Sequence, residues 1–181
     1  MQHSLLIVMR HAKTQASSPS GDDFSRALTP RGSAAALAVG AWLHARHPDL
    51  ARIVSSTALR TRQTVAAVTV PWGQTPPDIR WDPALYLAEL DVLLDAVSAM
   101  REATTLLVGH NPGLEDLVRY LVSDVDDWPQ VQTAGGKLMP TSAVYVLELA
   151  GRRGTPAPGS AVLRDHVRPK LLATGAATDE D

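Results

Sequence analysis

Cysteine is absent from the 181 residues. That excludes disulfides, thiol nucleophiles and cysteine–zinc sites. Long apolar runs are missing too: none approaches the roughly 20 residues that span a bilayer. There is no excess of basic charge, since 17 Lys and Arg face 19 Asp and Glu for a formal net charge of -2. Nucleic-acid binders show a basic face, so no nucleic-acid partner is expected. The start, Met1-Gln2-His3-Ser4, has neither the basic n-region nor the long apolar h-region of a secretory leader. These absences together predict a cytoplasmic protein without a membrane partner. What is present is ordinary for a globular chain, at 45% hydrophobic and 20% charged. The length suits one domain that buries about 70% of its unfolded surface. No internal repeat is found.

Strand and helix patterns alternate along the chain. Leu5 to Met9 is an apolar run with β-branched residues, the pattern of a strand buried on both faces. Residues 15 to 28 read as a loop. Thr29 and Pro30 supply an N-cap and a first helical position, and Pro48 ends that helix. Leu37, Ala38, Ala41, Trp42 and Ala45 are its expected apolar face. Ile53-Val54 centres a second strand, and Thr57 is the expected cap of a helix through Val68. Ile79 to Tyr86 is expected to hold a short edge segment, since Pro83 argues against a central strand. Glu89 to Met100 reads as a helix, and Thr104 to Val108 as another buried strand. Asn111 and Pro112 repeat the cap and first-position pattern before Leu114, Leu117, Val118 and Leu121. Strands at Val144 to Leu149 and Ala161 to Val167 follow, with an acidic tail from Gly175 to Asp181. The domain is expected over residues 1–172, with a disordered tail over 173–181. This is an α/β fold with right-handed crossovers: a mostly parallel sheet with one antiparallel edge.

That architecture gathers the carboxyl ends of three strands on one rim, where open α/β sheets carry their chemistry. Those ends bear Arg10-His11, Ser55 through Arg60, and His110. Two arginines beside two histidines describe an oxyanion pocket, because guanidinium forks match phosphate. His110 precedes a helix N-terminus, which favours an anion. An imidazole there can attack phosphorus and divide one displacement into two. The neighbouring guanidiniums disfavour imidazolium and so keep His11 neutral. They also stabilise charge on the equatorial oxygens, so no metal and no cofactor is required.

Four stretches carry a resemblance. They are Arg10-His11-Ala12-Lys13, Arg26-Ala27-Leu28-Thr29-Pro30-Arg31-Gly32, Ser55 through Thr64, and Val108-Gly109-His110-Asn111-Pro112-Gly113. In this order within an α/β pattern, the chain resembles the histidine phosphatase superfamily, and within it the SixA-type phosphohistidine phosphatases. The resemblance runs from Leu5 to about Leu149. It implies a single-domain, three-layer α/β/α sandwich of phosphoglycerate mutase type. It implies that His11 is the phosphorylated nucleophile, that Arg10 and Arg60 hold the phosphoryl oxygens, and that His110 completes the pocket. Arg26 matches the arginine of the family's RPLT motif, with Ala27 in place of the proline. The implied activity is dephosphorylation of phosphohistidine on a protein, by a monomer. A small phosphorylated ester is the alternative substrate, and a non-catalytic phospho-ligand module is the alternative of another class.

Further residues carry two readings each. Lys13 suits drawing in an anion, or is a solvated loop lysine. Asn111 is expected on the substrate side as well as at the cap. Glu89 is the one candidate proton donor, but a place in the first turn of a helix also explains it. Ser142 follows Met139-Pro140-Thr141, where the SixA branch carries a PT motif near the pocket; strand-edge polarity explains it equally. His44 and His47 have the spacing of a metal pair but lack further ligands. Asp124, Asp126 and Asp127 are expected in an exposed loop rather than a calcium site.

Overall fold

Both faces of the sheet are covered, and this explains why its central strands are apolar throughout. The computed structural model describes residues 4–122, 138–150 and 155–173. The expected Asp124–Asp127 loop and the acidic tail from Gly175 lie outside the described residues. The elements run β1 (Ser4–Arg10), α1 (Pro30–Arg46), β2 (Arg52–Ser55), α2 (Leu59–Val68), β3 (Asp78–Trp81) and α3 (Leu90–Ser98). Then come β4 (Thr104–Gly109), α4 (Gly113–Leu121), β5 (Val144–Leu149), β6 (Ala161–Val167) and a short α5 (Pro169–Ala173) that no sequence signal announced. The strand order is β3-β2-β4-β1-β5-β6. The four strands from β3 to β1 are parallel, and β5 runs against both β1 and β6.

Successive strand residues face opposite sides. Leu6, Val8, Val54 and Leu107 pack with α3 and α4, whereas Ile7, Met9, Ile53, Leu106 and Val108 pack with α1 and α2. The result is the single-domain, three-layer α/β/α sandwich. Register sets the functional rim. Arg10 lies opposite Gly109, and Ser55 opposite Val108, so β1, β2 and β4 end side by side. Strand β5 pairs Val144 with Met9, which brings Thr141 and Ser142 to the same rim from the opposite direction.

Three local expectations are corrected. The buried face of α1 is Gly32, Ala36, Val39, Gly40 and Leu43, while Leu37 is 44% exposed. Alanines are spread around this helix, so their positions do not single out a face. The buried stripe follows the small residues that let α1 approach its neighbours. Thr57 is not the cap of α2: Ala58 holds that position without a side-chain bond. Asn111 is likewise not the cap of α4, which begins after Pro112. The Asn111 amide is taken by other partners, described below. The expected cap of α1 is present, with the Thr29 hydroxyl accepting from the Gly32 N–H at 3.0 Å.

Candidate active site

A cleft of about 640 Å³ opens at the rim. Arg10, His11, Lys13, Asp23, Arg26, Arg60, Leu87, His110, Asn111 and Thr141 contribute to its walls. His11 stands at its floor, only 8% exposed. Its main chain continues β1 by donating to the Gly109 carbonyl at 3.1 Å. Its Nδ1 lies 2.8 Å from the Ala12 carbonyl oxygen. A carbonyl can only accept, so Nδ1 carries the proton and Nε2 keeps its lone pair. The His11 pKa is pushed down to about 4. Burial is the largest cause, and Arg60, Arg10 and Arg26 add to it against the opposing bond to Ala12.

His110 is 3% exposed, with its ring centroid 5.2 Å from that of His11. Arg60 Nε donates to its Nδ1 at 3.3 Å, which fixes Nδ1 as an acceptor. The Nε2–H therefore donates to the Ser56 hydroxyl at 2.9 Å. Burial, then the charge of Arg60, pushes the His110 pKa down to about 3. Both imidazoles are thus neutral at neutral pH.

Arg60 comes from the first turn of α2 and is 3% exposed. Its backbone carbonyl accepts from the Thr64 hydroxyl at 2.7 Å, and that hydroxyl accepts from the Ala12 N–H at 3.0 Å. The turn of α2 and the His11 loop are thereby fastened together. Arg10 reaches across to donate to the Met139 carbonyl at 2.9 Å. Its Nε, the Asn111 Oδ1 and the Ser142 Oγ are buried polar atoms without a hydrogen-bond partner among the described residues. The Asn111 amide donates to Glu115 Oε1 at 2.8 Å and to the Met139 carbonyl at 3.1 Å.

The remaining expected residues fall in different places. Arg26 lines the cleft, but its guanidinium also clamps the loop: it donates to the Gln15 carbonyl, to the Thr14 hydroxyl at 2.7 Å and to Asp23 Oδ1 at 2.9 Å. Lys13 is an exposed lysine at the mouth. Ser142 is buried with φ 62°, and its N–H is shared between the Arg10 and His11 carbonyls at 3.2 Å each. A non-glycine residue in that left-handed region is strained, and such strain collects at functional sites. Glu89 stands exposed at the N-cap of α3 and is not among the residues lining the cleft. His44 and His47 pack edge-on against Trp72 and Trp42.

Sequence reasoning missed Asp23, Tyr86 and Ser56 as site residues. Asp23 Oδ2 accepts from Arg60 at 2.8 Å and from the Tyr86 hydroxyl at 2.9 Å. Its carboxyl is held well below the usual carboxylate range, first by the Arg26 hydrogen bond. Its one sequence signal was its place three residues before Arg26.

Residues 6–92 match the histidine phosphatase superfamily (branch 1). An uncharacterised protein of Mycobacterium tuberculosis is 34% identical over 158 residues, covering 86% of this chain and 96% of its own. A candidate phosphohistidine phosphatase SixA from Nakamurella multipartitia superposes with a TM-score of 0.72 at 30% identity, over 93% of this chain and 98% of that one. A second candidate SixA, from Agrobacterium tumefaciens, gives 0.76 at 27% identity, over 92% and 98%. A phosphoglycerate mutase from Plasmodium falciparum shares the fold, with a TM-score of 0.60 at 14% identity over 91% of each chain.

Proposed function

Because this chain belongs to the histidine phosphatase superfamily, in its SixA-type group, we propose that it is a phosphatase acting on phosphohistidine displayed by a protein, with His11 as nucleophile. The observation that carries the reading is a neutral His11 whose Nε2 lone pair is free beside two arginines. In the first step Nε2 bonds to phosphorus as the bond from phosphorus to the leaving nitrogen breaks. Arg10 and Arg60 hold the equatorial oxygens through that transition state. In the second step water attacks the phosphorus of phospho-His11 as the bond from phosphorus to Nε2 breaks; the water's protons leave on inorganic phosphate, and Nε2 recovers its lone pair. The guanidiniums supply the positive charge that a metal would otherwise bring. Arg26, Lys13 and Asn111 are assigned to the substrate side of the mouth, and Ser142 to supporting the Arg10–His11 backbone.

The leaving group decides the substrate class. An alkoxide needs a proton from a general acid. Among the described residues that line the cleft, Asp23 is the sole carboxyl group, and its ion pairs keep it deprotonated. Glu89 lies outside that lining. From phosphohistidine the departing group is the imidazole, which leaves neutral when its other ring nitrogen carries a proton and so needs no acid. Wild-type protein and Glu89→Gln should be compared on phosphohistidine protein, an activated aryl phosphate and sugar phosphates. Rapid turnover of the first two and slow turnover of the sugars, with the variant nearly unchanged, is expected. Sugar phosphates as best substrates, with their turnover abolished in Glu89→Gln, would assign a small-ester phosphatase with Glu89 as its acid.

A further inference from the structure

Among the described residues, the cleft has a cationic lining and holds one carboxylate of its own. Arg10, Lys13, Arg26 and Arg60 line it, and Asp23 lies among them. Arg60, nearly sealed from solvent, gives both terminal nitrogens to this one residue. One donates to the Asp23 carbonyl at 2.6 Å and the other to Oδ2 at 2.8 Å. Arg26 donates to the other carboxylate oxygen at 2.9 Å. The Tyr86 hydroxyl donates to Oδ2 at 2.9 Å, and the Tyr86 ring lies under the Arg60 guanidinium at 5.6 Å. A buried guanidinium needs a partner, and a phosphoryl group would draw on the same donors. The Asp23 side chain is 44% exposed on a surface loop. It therefore has solvent to turn into, which Arg60 does not.

We propose that Asp23 is a built-in competitor of the phosphoryl group: it gives up Arg60 and Arg26 as substrate binds and takes them back as phosphate leaves. The inference rests on the assignment of Arg60 to the phosphoryl oxygens above. Asp23 keeps the arginine cluster paired between turnovers and weakens the hold on product. Tyr86 positions it. A simple brace for Arg60 would have the opposite effect on anion affinity, because without it the guanidinium would lose its aim into the cleft.

The test is calorimetric binding of inorganic phosphate to the wild type, Asp23→Asn and Tyr86→Phe. A like charge a few ångströms from a bound anion costs about tenfold or more in affinity at the effective dielectric of a protein surface. Asp23→Asn should bind phosphate about tenfold tighter. Its kcat and KM for phosphohistidine protein should fall together as product release slows. Tyr86→Phe keeps all charges but loosens the grip on Asp23, so its phosphate affinity should rise by less; it also serves if Asp23→Asn does not fold. Unchanged or weaker phosphate binding in the variants would overturn the proposal. Tight phosphate binding by a wild type that turns over no phosphohistidine protein would overturn the substrate reading instead, leaving the role of Asp23 measurable.

Discussion

At His11 one hydrogen bond decides the chemistry. The Ala12 carbonyl holds the Nδ1 proton, so Nε2 is the nitrogen left for the proposed nucleophilic role. Rapid quench under alkaline conditions should trap phosphate on His11 in a form stable to alkali and labile to acid. His11→Ala should lose both the label and turnover; continued turnover would sink the covalent route. In the same experiment Arg60→Lys should form the phosphoenzyme about 10²–10³ more slowly, the usual loss for one charge-assisted donor, because an ammonium does not replace the fork. A near-normal rate would show that simple charge suffices. The placement of these groups was legible in the sequence because each sits at or just beyond a strand end. Asp23 and Tyr86 were not, since their bonds bridge 37 and 63 residues of chain. No local pattern encodes a contact of that length.

The elements show where pattern reasoning holds and where it slips. The strands and the amphipathic α3 and α4 follow their apolar spacing closely, because large side chains leave one face no alternative. Helix α1 does not, because glycine and alanine share its contact face with Val39 and Leu43 and leave the apolar spacing without a clear stripe. A Cβ on Gly32 would stand 2.1 Å from the Lys13 carbonyl oxygen, and one on Gly40 2.3 Å from that of Val68. Gly32 thus lets the start of α1 close on the loop after His11, which gives the glycine of the motif's Arg31-Gly32 pair a physical reason. Gly40 does the same for α1 against the end of α2. Gly40→Ala should destabilise by about 1–3 kcal/mol from overpacking against backbone, although alanine is the better helix former by about 1 kcal/mol. Urea denaturation measures the balance. A stabilised variant would mean that α1 and α2 separate without penalty. Caps were less legible than faces: Thr57 and Asn111 have capping side chains, yet Asn111 bonds to Glu115 and Met139 instead.

Across the whole molecule, the site and the fold are coupled through protons. His11 and His110 fall to about 4 and about 3 in the native state, against about 6.5 in an unfolded chain. His47 and His166 are lowered too, burial being the main cause for both. Between the native and unfolded values the unfolded chain binds more protons, so stability rises with pH there. The stabilisation is fully present above about pH 6.5 and is lost as pH falls toward the native values. His11 and His110 each contribute a slope of about 1.4 kcal/mol per pH unit inside that window. Urea denaturation from pH 7 to pH 4.5 should therefore show a steep loss of stability on the acid side. Replacing His11 by Asn should flatten the slope by about one histidine's share, even where the variant differs in stability at pH 7. An unchanged slope in that variant would mean that His11 takes up its proton equally in both states. Burial among arginines would then not be what keeps it neutral, and the free Nε2 lone pair would need another cause.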